Sequence, residues 1–153
     1  MRMFVILAAS TLLLLGCNTK SHKTSPRPLA KKAVFALYVV SATSGANTKT
    51  DTDPETGAAI YLTTPAVITS TDVASVHLSK DSPVDSSLSL NVRLTPTGAT
   101  KLSAATATPN GMRLAVVVND KVVAAPKLHS KLSNSISFSS GTSEAMLDLL
   151  TRD

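Results

Sequence analysis

The sequence predicts an α+β domain, with helices packed on one face of an antiparallel sheet. Three observations lead to this prediction. Short segments rich in Val, Ile, Phe and Tyr recur over residues 33–139, as is typical of β-strands. Helix-capping residues open two other segments, at Thr95 and Ser143. Two apolar runs flank the dipeptide Asn119-Asp120, which favours a tight hairpin and therefore antiparallel pairing.

The N-terminus predicts an exported, lipid-anchored protein. Arg2 precedes a mainly apolar stretch, residues 4–15, that is shorter than the roughly 20 residues of a membrane-spanning helix. It ends in Leu-Leu-Gly-Cys17, which resembles the bacterial lipoprotein signal, in which the cysteine thiol receives lipid such as palmitate. We expect a signal peptide over residues 1–16 and a mature chain attached to membrane lipid through Cys17, outside the cytoplasm. The alternative is an ordinary signal peptide with an accidental cysteine.

Residues 17–32 are predicted to be a flexible, lipid-anchored tether, because they are polar and contain Pro26 and Pro28. Six of the 15 Lys and Arg residues precede residue 33, with no acid among them, so the rest of the chain is almost balanced in charge. The basic tether either favours anionic lipid headgroups or is simply a soluble spacer. Because the body has no basic patch and few aromatic residues, nucleic-acid binding is disfavoured.

Residues 33–153 are predicted to form one domain, whose first half contains mostly strands. Residues 33–42 predict a strand, residues 45–57 a polar loop, and residues 60–63 a short strand that Pro65 ends. Thr69 followed by Asp72 resembles a capping box and favours one or two helical turns. A weak strand over residues 76–78 follows. Apolar and polar residues then alternate, which predicts a strand with one buried face; its apolar residues are Leu88, Leu90, Val92 and Leu94.

The second half predicts a helix, a hairpin, a strand and a final helix. Thr95 can cap a helix that begins at Pro96, with its apolar face at Gly98, Leu102 and Ala105. Residues 112–118 form a run that is apolar except for Arg113, as expected of a central strand, and residues 122–125 return from the Asn119-Asp120 turn. Ile136 and Phe138 mark a last strand. The final helix has a predicted apolar stripe of Ala145, Met146, Leu149 and Leu150.

Few residues suggest chemistry. Asp51, Asp53 and Glu55 alternate in a polar loop and are a weak Ca²⁺ candidate, but the spacing is not that of an EF-hand. We expect these acids to be dispensable for the fold. His22, His77 and His129 have no neighbour at ligand spacing, and Cys17 is the one cysteine, so the body has no disulfide. No catalytic motif and no cofactor site are apparent, and we expect a protein that is not an enzyme.

A longer stretch resembles a known family. Pro96-Thr97-Gly98-Ala99, "RLAVVVNDKVVAAP" (residues 113–126) and "SEAMLDLL" (residues 143–150) are similar to the P1 head of SecD, in the SecDF protein-export family. "YLTTPAVITSTDV" (residues 61–73) resembles the segment before that head sheet. The chain departs from the family at its turn, which lacks the family's glycine. It also has no transmembrane helices after the head and no intramembrane carboxylate, so the resemblance does not extend to proton-driven action.

The resemblance implies the head fold and contact with unfolded polypeptide outside the membrane. The first functional hypothesis is therefore a tethered module that binds extended polypeptide or a translocon or envelope protein. The second is a structural envelope lipoprotein without peptide affinity. A small hydrolase is the third, although no nucleophile motif supports it.

Overall fold

The computed structural model describes residues 24–80, 88–139 and 143–152. Cys17 and His22 therefore lie outside the described residues. The helices are α1 (Pro96–Ala105) and α2 (Ser143–Thr151), and a 3₁₀ turn spans Ser70–Asp72. The strands are β1 (Phe35–Ser41), β2 (Thr48–Thr52), β3 (Ala59–Thr63), β4 (Ile68–Thr69), β5 (Val73–Lys80), β6 (Leu88–Leu94), β7 (Leu114–Val118), β8 (Lys121–Ala124) and β9 (Ser135–Ser139).

These strands form two antiparallel sheets. The larger sheet has the order β2-β3-β1-β7-β8, with β4 also paired to β1, and the smaller sheet has the order β5-β6-β9. The α+β class is confirmed, but the single sheet of the prediction is divided into two. The 3₁₀ turn Ser70–Asp72 separates β4, in the large sheet, from β5, in the small one.

The main core lies where the two sheets and the two helices meet. Strand β7 is buried along its whole length, because it lies between β1 and β8 and has residues packed on both faces. Val116 belongs to the main core, together with Leu37 of β1, Val92 of β6 and Leu150 of α2. Ala115 and Val117 point to the opposite face and pack with Leu62 of β3 and with other small residues. This confirms the prediction of a central strand over the apolar run.

The predicted Asn119-Asp120 turn is confirmed. Both residues have positive φ, 48° and 64°, which is the conformation of a tight hairpin turn and which Asn and Asp tolerate. Asn119 has a further function that the sequence did not indicate, because its Oδ1 accepts a hydrogen bond from the Val34 N–H at 3.0 Å. The Asn119 N–H in turn donates to the Val34 carbonyl at 2.9 Å. The turn is therefore tied to the start of β1.

A close contact between α1 and the 3₁₀ turn holds the two sheets together. A Cβ atom on Gly98 would lie 2.7 Å from the Asp72 carbonyl oxygen and 2.9 Å from its Cβ, so only glycine permits this approach. The Lys101 ammonium donates to Asp72 Oδ1 at 2.8 Å, and the Thr69 N–H donates to Asp72 Oδ2 at 3.1 Å. Burial alone would raise the pKa of Asp72, but Lys101 and the bonds from Thr69 outweigh it and lower that pKa.

An ion pair between a buried aspartate and a partly exposed arginine ties the β2–β3 hairpin to the end of β8. The Asp53 side chain, 1% exposed, accepts a hydrogen bond from Arg113 Nη2. Arg113 Nε donates to the Ala125 carbonyl at 2.9 Å. The Asp53 carboxylate also accepts from the Glu55 N–H at 3.0 Å, and together these bonds, chiefly that from Arg113, lower the pKa of Asp53. The expectation that all three loop acids are dispensable is therefore wrong for Asp53.

Three further expectations need correction. The predicted polar loop over residues 45–57 contains strand β2, which pairs with β3 along five residues despite its polar sequence. The tether was predicted to end at residue 32, yet Arg27 pairs with Val76 of β5, and the Ala30 N–H donates to the Leu150 carbonyl. In α2, the predicted stripe is displaced: Met146, Leu147 and Leu150 are buried, whereas Leu149 is exposed.

Substitution of Gly98 by alanine should destabilise the domain. Alanine favours a helix by about 1 kcal/mol over glycine, but its Cβ would clash with the Asp72 carbonyl oxygen. Backbone atoms cannot move aside as the end of a flexible side chain can. We expect a net loss of about 1–2 kcal/mol in urea unfolding. Gly45→Ala is the matched control, since no atom lies within 4 Å of the added Cβ, and it should melt like the parent. Equal melting of both variants would contradict the close-approach account.

Substitution of Asp53 by asparagine should destabilise the domain by about 2–3 kcal/mol near neutral pH, because Arg113 loses its anionic partner. Asp51→Asn is the control and should cost less than about 0.5 kcal/mol, since the Asp51 carboxylate accepts a hydrogen bond from the neighbouring Thr52 N–H and has no ion-pair partner among the described residues. The pKa of Asp53 is lowered from 3.8, so the carboxylate stabilises the fold above that pH, and this contribution is lost as pH falls through the folded value. The difference in the free energy of unfolding between the parent and Asp53→Asn should therefore shrink below about pH 3.8. Urea melts at several pH values measure this difference.

Candidate functional site

The candidate site is a groove between the outer edges of the two sheets. One wall is the end of β8, the other is β9, and the β2–β3 turn closes one side. Its volume is about 540 Å³. The lining residues are Pro54, Glu55, Val123, Ala124, Ala125, Pro126, Ser137 and Phe138. Most of this lining is apolar, and it lies beside two strands that end their sheets, so the groove combines apolar contacts with exposed strand backbone.

Strand β8 is poorly suited to pair with another strand. It is only four residues long, begins with Lys121 and is followed closely by Pro126. The register with β7 shifts between Val116 and Val117, which leaves Val123 as the extra residue of a bulge. Short length, a lysine, a bulge and a proline are the features with which natural proteins protect sheet edges from further pairing. This wall therefore supplies mainly side-chain contacts.

Strand β9 has none of those protecting features. It pairs with β6 over five consecutive residues with no register shift, and its sequence, Ser-Ile-Ser-Phe-Ser, contains no charge and no proline. Ile136 and Phe138 are buried in the core, whereas Ser135 and Ser137 are exposed. Within the described ranges no strand pairs with the outer side of β9. The small sheet thus ends in a regular edge.

The register shows which backbone groups face this edge. The Leu94 N–H donates to the Asn134 carbonyl at 2.9 Å, so Leu94 and Asn134 are a hydrogen-bonded pair. In an antiparallel ladder such pairs recur at every second residue, which places Ile136 and Phe138 in hydrogen-bonded positions toward β6. The N–H and C=O groups of Ser135 and Ser137 therefore point away from β6, and Ser137 lines the groove.

The charge at the groove mouth is negative. Glu55 is the one ionisable residue among those that line it. Its position follows from the Asp53–Arg113 ion pair, because the Glu55 N–H donates to the Asp53 carboxylate and so fixes the turn against the end of β8. Asp53 thus has a structural function, whereas Glu55 remains exposed, where it can attract a cationic group.

The structure separates the residues that the sequence singled out. Asp53 faces Arg113, while Asp51 Oδ1 accepts from the Thr52 N–H, and Glu55 lines the groove. In the part of the chain that the structure describes, no three His, Cys, Asp or Glu side chains come together to hold a metal ion. His129 is exposed, and His77 lies on β5, partly buried, with a buried Nδ1 that has no hydrogen-bond partner among described atoms.

Sequence reasoning missed Arg113 and the open edge of β9. Arg113 is the one charged residue in the run over residues 112–118, and a lone arginine at the start of a buried strand is a signal for a buried acid partner. The strand itself was predicted from Ile136 and Phe138. Its place at the end of a sheet depends on which strands pair, and local sequence does not encode that pairing.

Comparisons with known proteins agree with this fold. The chain is similar to a solved structure of SecDF, a membrane component that enhances protein export, with a TM-score of 0.57 and 19% identity over 77% of this chain and 60% of that one. A crystal structure of SecDF in a super-membrane-facing form has the same TM-score and identity, but the match covers 18% of its chain. The chain thus corresponds to less than two thirds of either SecDF chain. No curated protein matches it significantly.

Among the described residues, no helix is long and apolar enough to cross a membrane.

The sequence model of the SecDF P1 head subdomain matches residues 46–149, which include eight of the nine described strands and most of α2. This is well over half of the chain, and it covers both walls of the groove. The chain therefore belongs to the SecDF P1 head subdomain family.

Proposed function

We propose that this protein is an extracytoplasmic lipoprotein whose head domain binds extended polypeptide, as an additional strand on β9, and that it is not an enzyme. The observation that carries the proposal is the regular, unprotected edge of β9. The N–H and C=O groups of Ser135 and Ser137 point away from β6 there, and Ser137 lines the apolar groove. Edge backbone of this kind recognises any extended chain, because its hydrogen bonds are made to main chain and not to particular side chains.

The groove suits such a ligand chemically. A peptide strand on β9 presents alternate side chains to its two faces, and the set facing the groove meets Val123, Ala124 and Ala125. The other set faces solvent beside Ser135 and Ser137. Small apolar or β-branched side chains fit the set that faces the groove, and Glu55 favours a lysine or arginine near the end of the peptide.

Membership of the SecDF P1 head family supports an unfolded exported protein as the ligand. The related SecDF is described as enhancing protein export. An export component of this kind meets its substrates as extended chains, which have every backbone group free to pair. The translocon or another envelope protein is the alternative partner, and it would use folded surface rather than a strand.

Strand addition is tested with Ser137→Pro. Proline removes the outward N–H and places its ring at the edge, while the β6 ladder keeps its bonds, because position 137 is not hydrogen-bonded to β6. A labelled peptide of roughly eight residues, alternating Val and Thr with a lysine at each end, serves as the probe in fluorescence anisotropy. We expect the parent to bind it and Ser137→Pro to bind at least about tenfold more weakly, a loss of about 1.4 kcal/mol.

Ser137→Ala is the matched control, because it removes the same hydroxyl but keeps the N–H, and it should bind like the parent. Urea melts establish that both variants are folded. If the folded Ser137→Pro variant binds the peptide as tightly as Ser137→Ala, strand addition at β9 is wrong. If neither the parent nor either variant binds the peptide, the hypothesis of a structural lipoprotein without peptide affinity is favoured instead.

The anchor is tested separately with Cys17→Ser. The substitution removes the thiol that would receive lipid, so the protein should leave the membrane fraction or retain its signal peptide. Fractionation followed by mass determination distinguishes these forms. A variant that is processed normally and still fractionates with membranes would rule out attachment through Cys17.

A further inference from the structure

A second cavity lies where β9 begins, at the other end of that strand from the groove. Its volume is about 520 Å³. One side is formed by α1 and the residue that follows its end, and the other by the loop over residues 131–134, which leads directly into Ser135 of β9. The lining residues are Ala99, Thr100, Ser103, Ala104, Ala107, Lys131, Ser133 and Asn134. We call this space the α1 cavity.

The loop side of the α1 cavity is fixed to the helix. Thr106, which is buried at the C-terminal end of α1, accepts a hydrogen bond from the Leu132 N–H at 3.0 Å. Its hydroxyl donates to the Leu102 carbonyl, one helical turn earlier, at 2.8 Å. Lys131 and Ser133 flank the residue that is held in this way, and both are exposed. The polar groups of the cavity therefore stand on a loop that is bonded to α1.

The α1 cavity carries a positive charge that no described acid offsets. Lys131 is the one ionisable residue that lines it, and Lys131 has no ion-pair partner among residues 24–80, 88–139 and 143–152. Asp72, which precedes β5 at the same end of the small sheet, is buried and already paired with Lys101 at 2.8 Å. Arg93, which pairs in register with Ser135, is exposed and adds positive charge at this end. The start of β9 thus favours an acidic group in a ligand.

The spacing along β9 links the α1 cavity to the groove. Phe138 lines the groove and Asn134 lines the α1 cavity, and the Leu94 N–H bond to the Asn134 carbonyl continues the ladder to that residue. Positions 134 and 138 are four residues apart, so they lie on the same face of the strand, roughly 13 Å from each other. In a strand added to β9, the two residues opposite these positions also share one face. One extended chain of roughly eight residues can therefore contact both cavities.

We propose that the polypeptide site on β9 extends into the α1 cavity and selects extended segments in which an acidic residue lies four positions from the residue in the groove. The proposal rests on the proposed function and adds a side-chain preference to it. The Lys131 ammonium and the hydroxyls of Ser103 and Ser133 line the cavity, and all three are donors for a carboxylate. Antiparallel addition, which is slightly more stable per residue than parallel addition, puts the acid on the C-terminal side of the groove residue.

A double-mutant cycle between Lys131 and the peptide tests this extension of the site. The peptide Lys-Thr-Val-Thr-Val-Thr-Asp-Thr, capped at both ends, and its partner with asparagine in place of aspartate compete with the labelled Val-Thr peptide for the full-length protein. We expect the parent to bind the aspartate peptide at least about threefold more tightly than the asparagine peptide at low salt. Lys131→Ala should bind the two peptides alike. An aspartate moved by one residue faces the opposite side of the strand, so that peptide should lose the preference as well.

Lys121→Ala is the matched control, because Lys121 is also exposed but opens β8 and lines neither cavity. It should keep the preference of the parent, and urea melts establish that both lysine variants are folded. If Lys131→Ala still prefers the aspartate peptide as the parent does, or if the parent has no preference, the α1 cavity is not part of the site. Binding that Ser137→Pro weakens would then leave the proposed function intact. If no peptide binds the parent, the proposed function and its extension fail together.

Discussion

The contact between Gly98 and Asp72 is the constraint on which the rest of the architecture depends. The 3₁₀ turn that contains Asp72 joins the large sheet to the small one, and α1 follows directly from β6 of the small sheet. Where α1 touches this turn, a carbonyl oxygen lies 2.7 Å from the place of the missing Cβ. The Lys101–Asp72 ion pair and the Thr95 N–H bond to the Asp72 carbonyl, at 2.8 Å, reinforce the same contact. This contact therefore lies at the junction between the two sheets, whose outer edges form the groove.

The two edges of that groove differ in a way that favours a binding function. Proteins usually protect both edges of an open sheet, since free backbone invites pairing with other chains. Here β8 is protected by a bulge, a lysine and a proline, whereas β9 is regular and uncharged. Because the apolar wall of β8 stands beside the open edge of β9, an incoming strand gains hydrogen bonds and side-chain burial together. In the proposed function, stability and binding would thus use different strands: β1 and β7 form the centre, and no described strand pairs with the outer side of β9.

Local sequence predicted most elements, because most follow from short-range chemistry. The alternation of residues 88–94, the Thr95-Pro96 helix start and the Asn119-Asp120 turn each depend on neighbours along the chain, and each is confirmed. β2 was missed because Thr-Lys-Thr-Asp-Thr has no apolar face, and its strand conformation comes from pairing with β3. Asp53 was misjudged for the same reason, since its partner Arg113 is 60 residues away.

The site was less predictable than the fold. The resemblance to the SecDF P1 head identified the family, which the comparison confirms, but it identified no residue of the groove. Ser137 carries no distinctive side-chain chemistry, and its proposed contribution comes from a backbone N–H whose direction is known only from the register with β6.

Amide hydrogen exchange of the uniformly ¹⁵N-labelled protein, with and without the Val-Thr peptide, tests the central claim most directly. The account predicts that the Ser135 and Ser137 amides, which face the groove, exchange fast in the free protein and become protected when peptide is added. The Ile136 and Phe138 amides, already bonded to β6, should change little. Protection that appears instead on β8, or nowhere on β9 under conditions where the peptide is bound, would contradict strand addition at this edge.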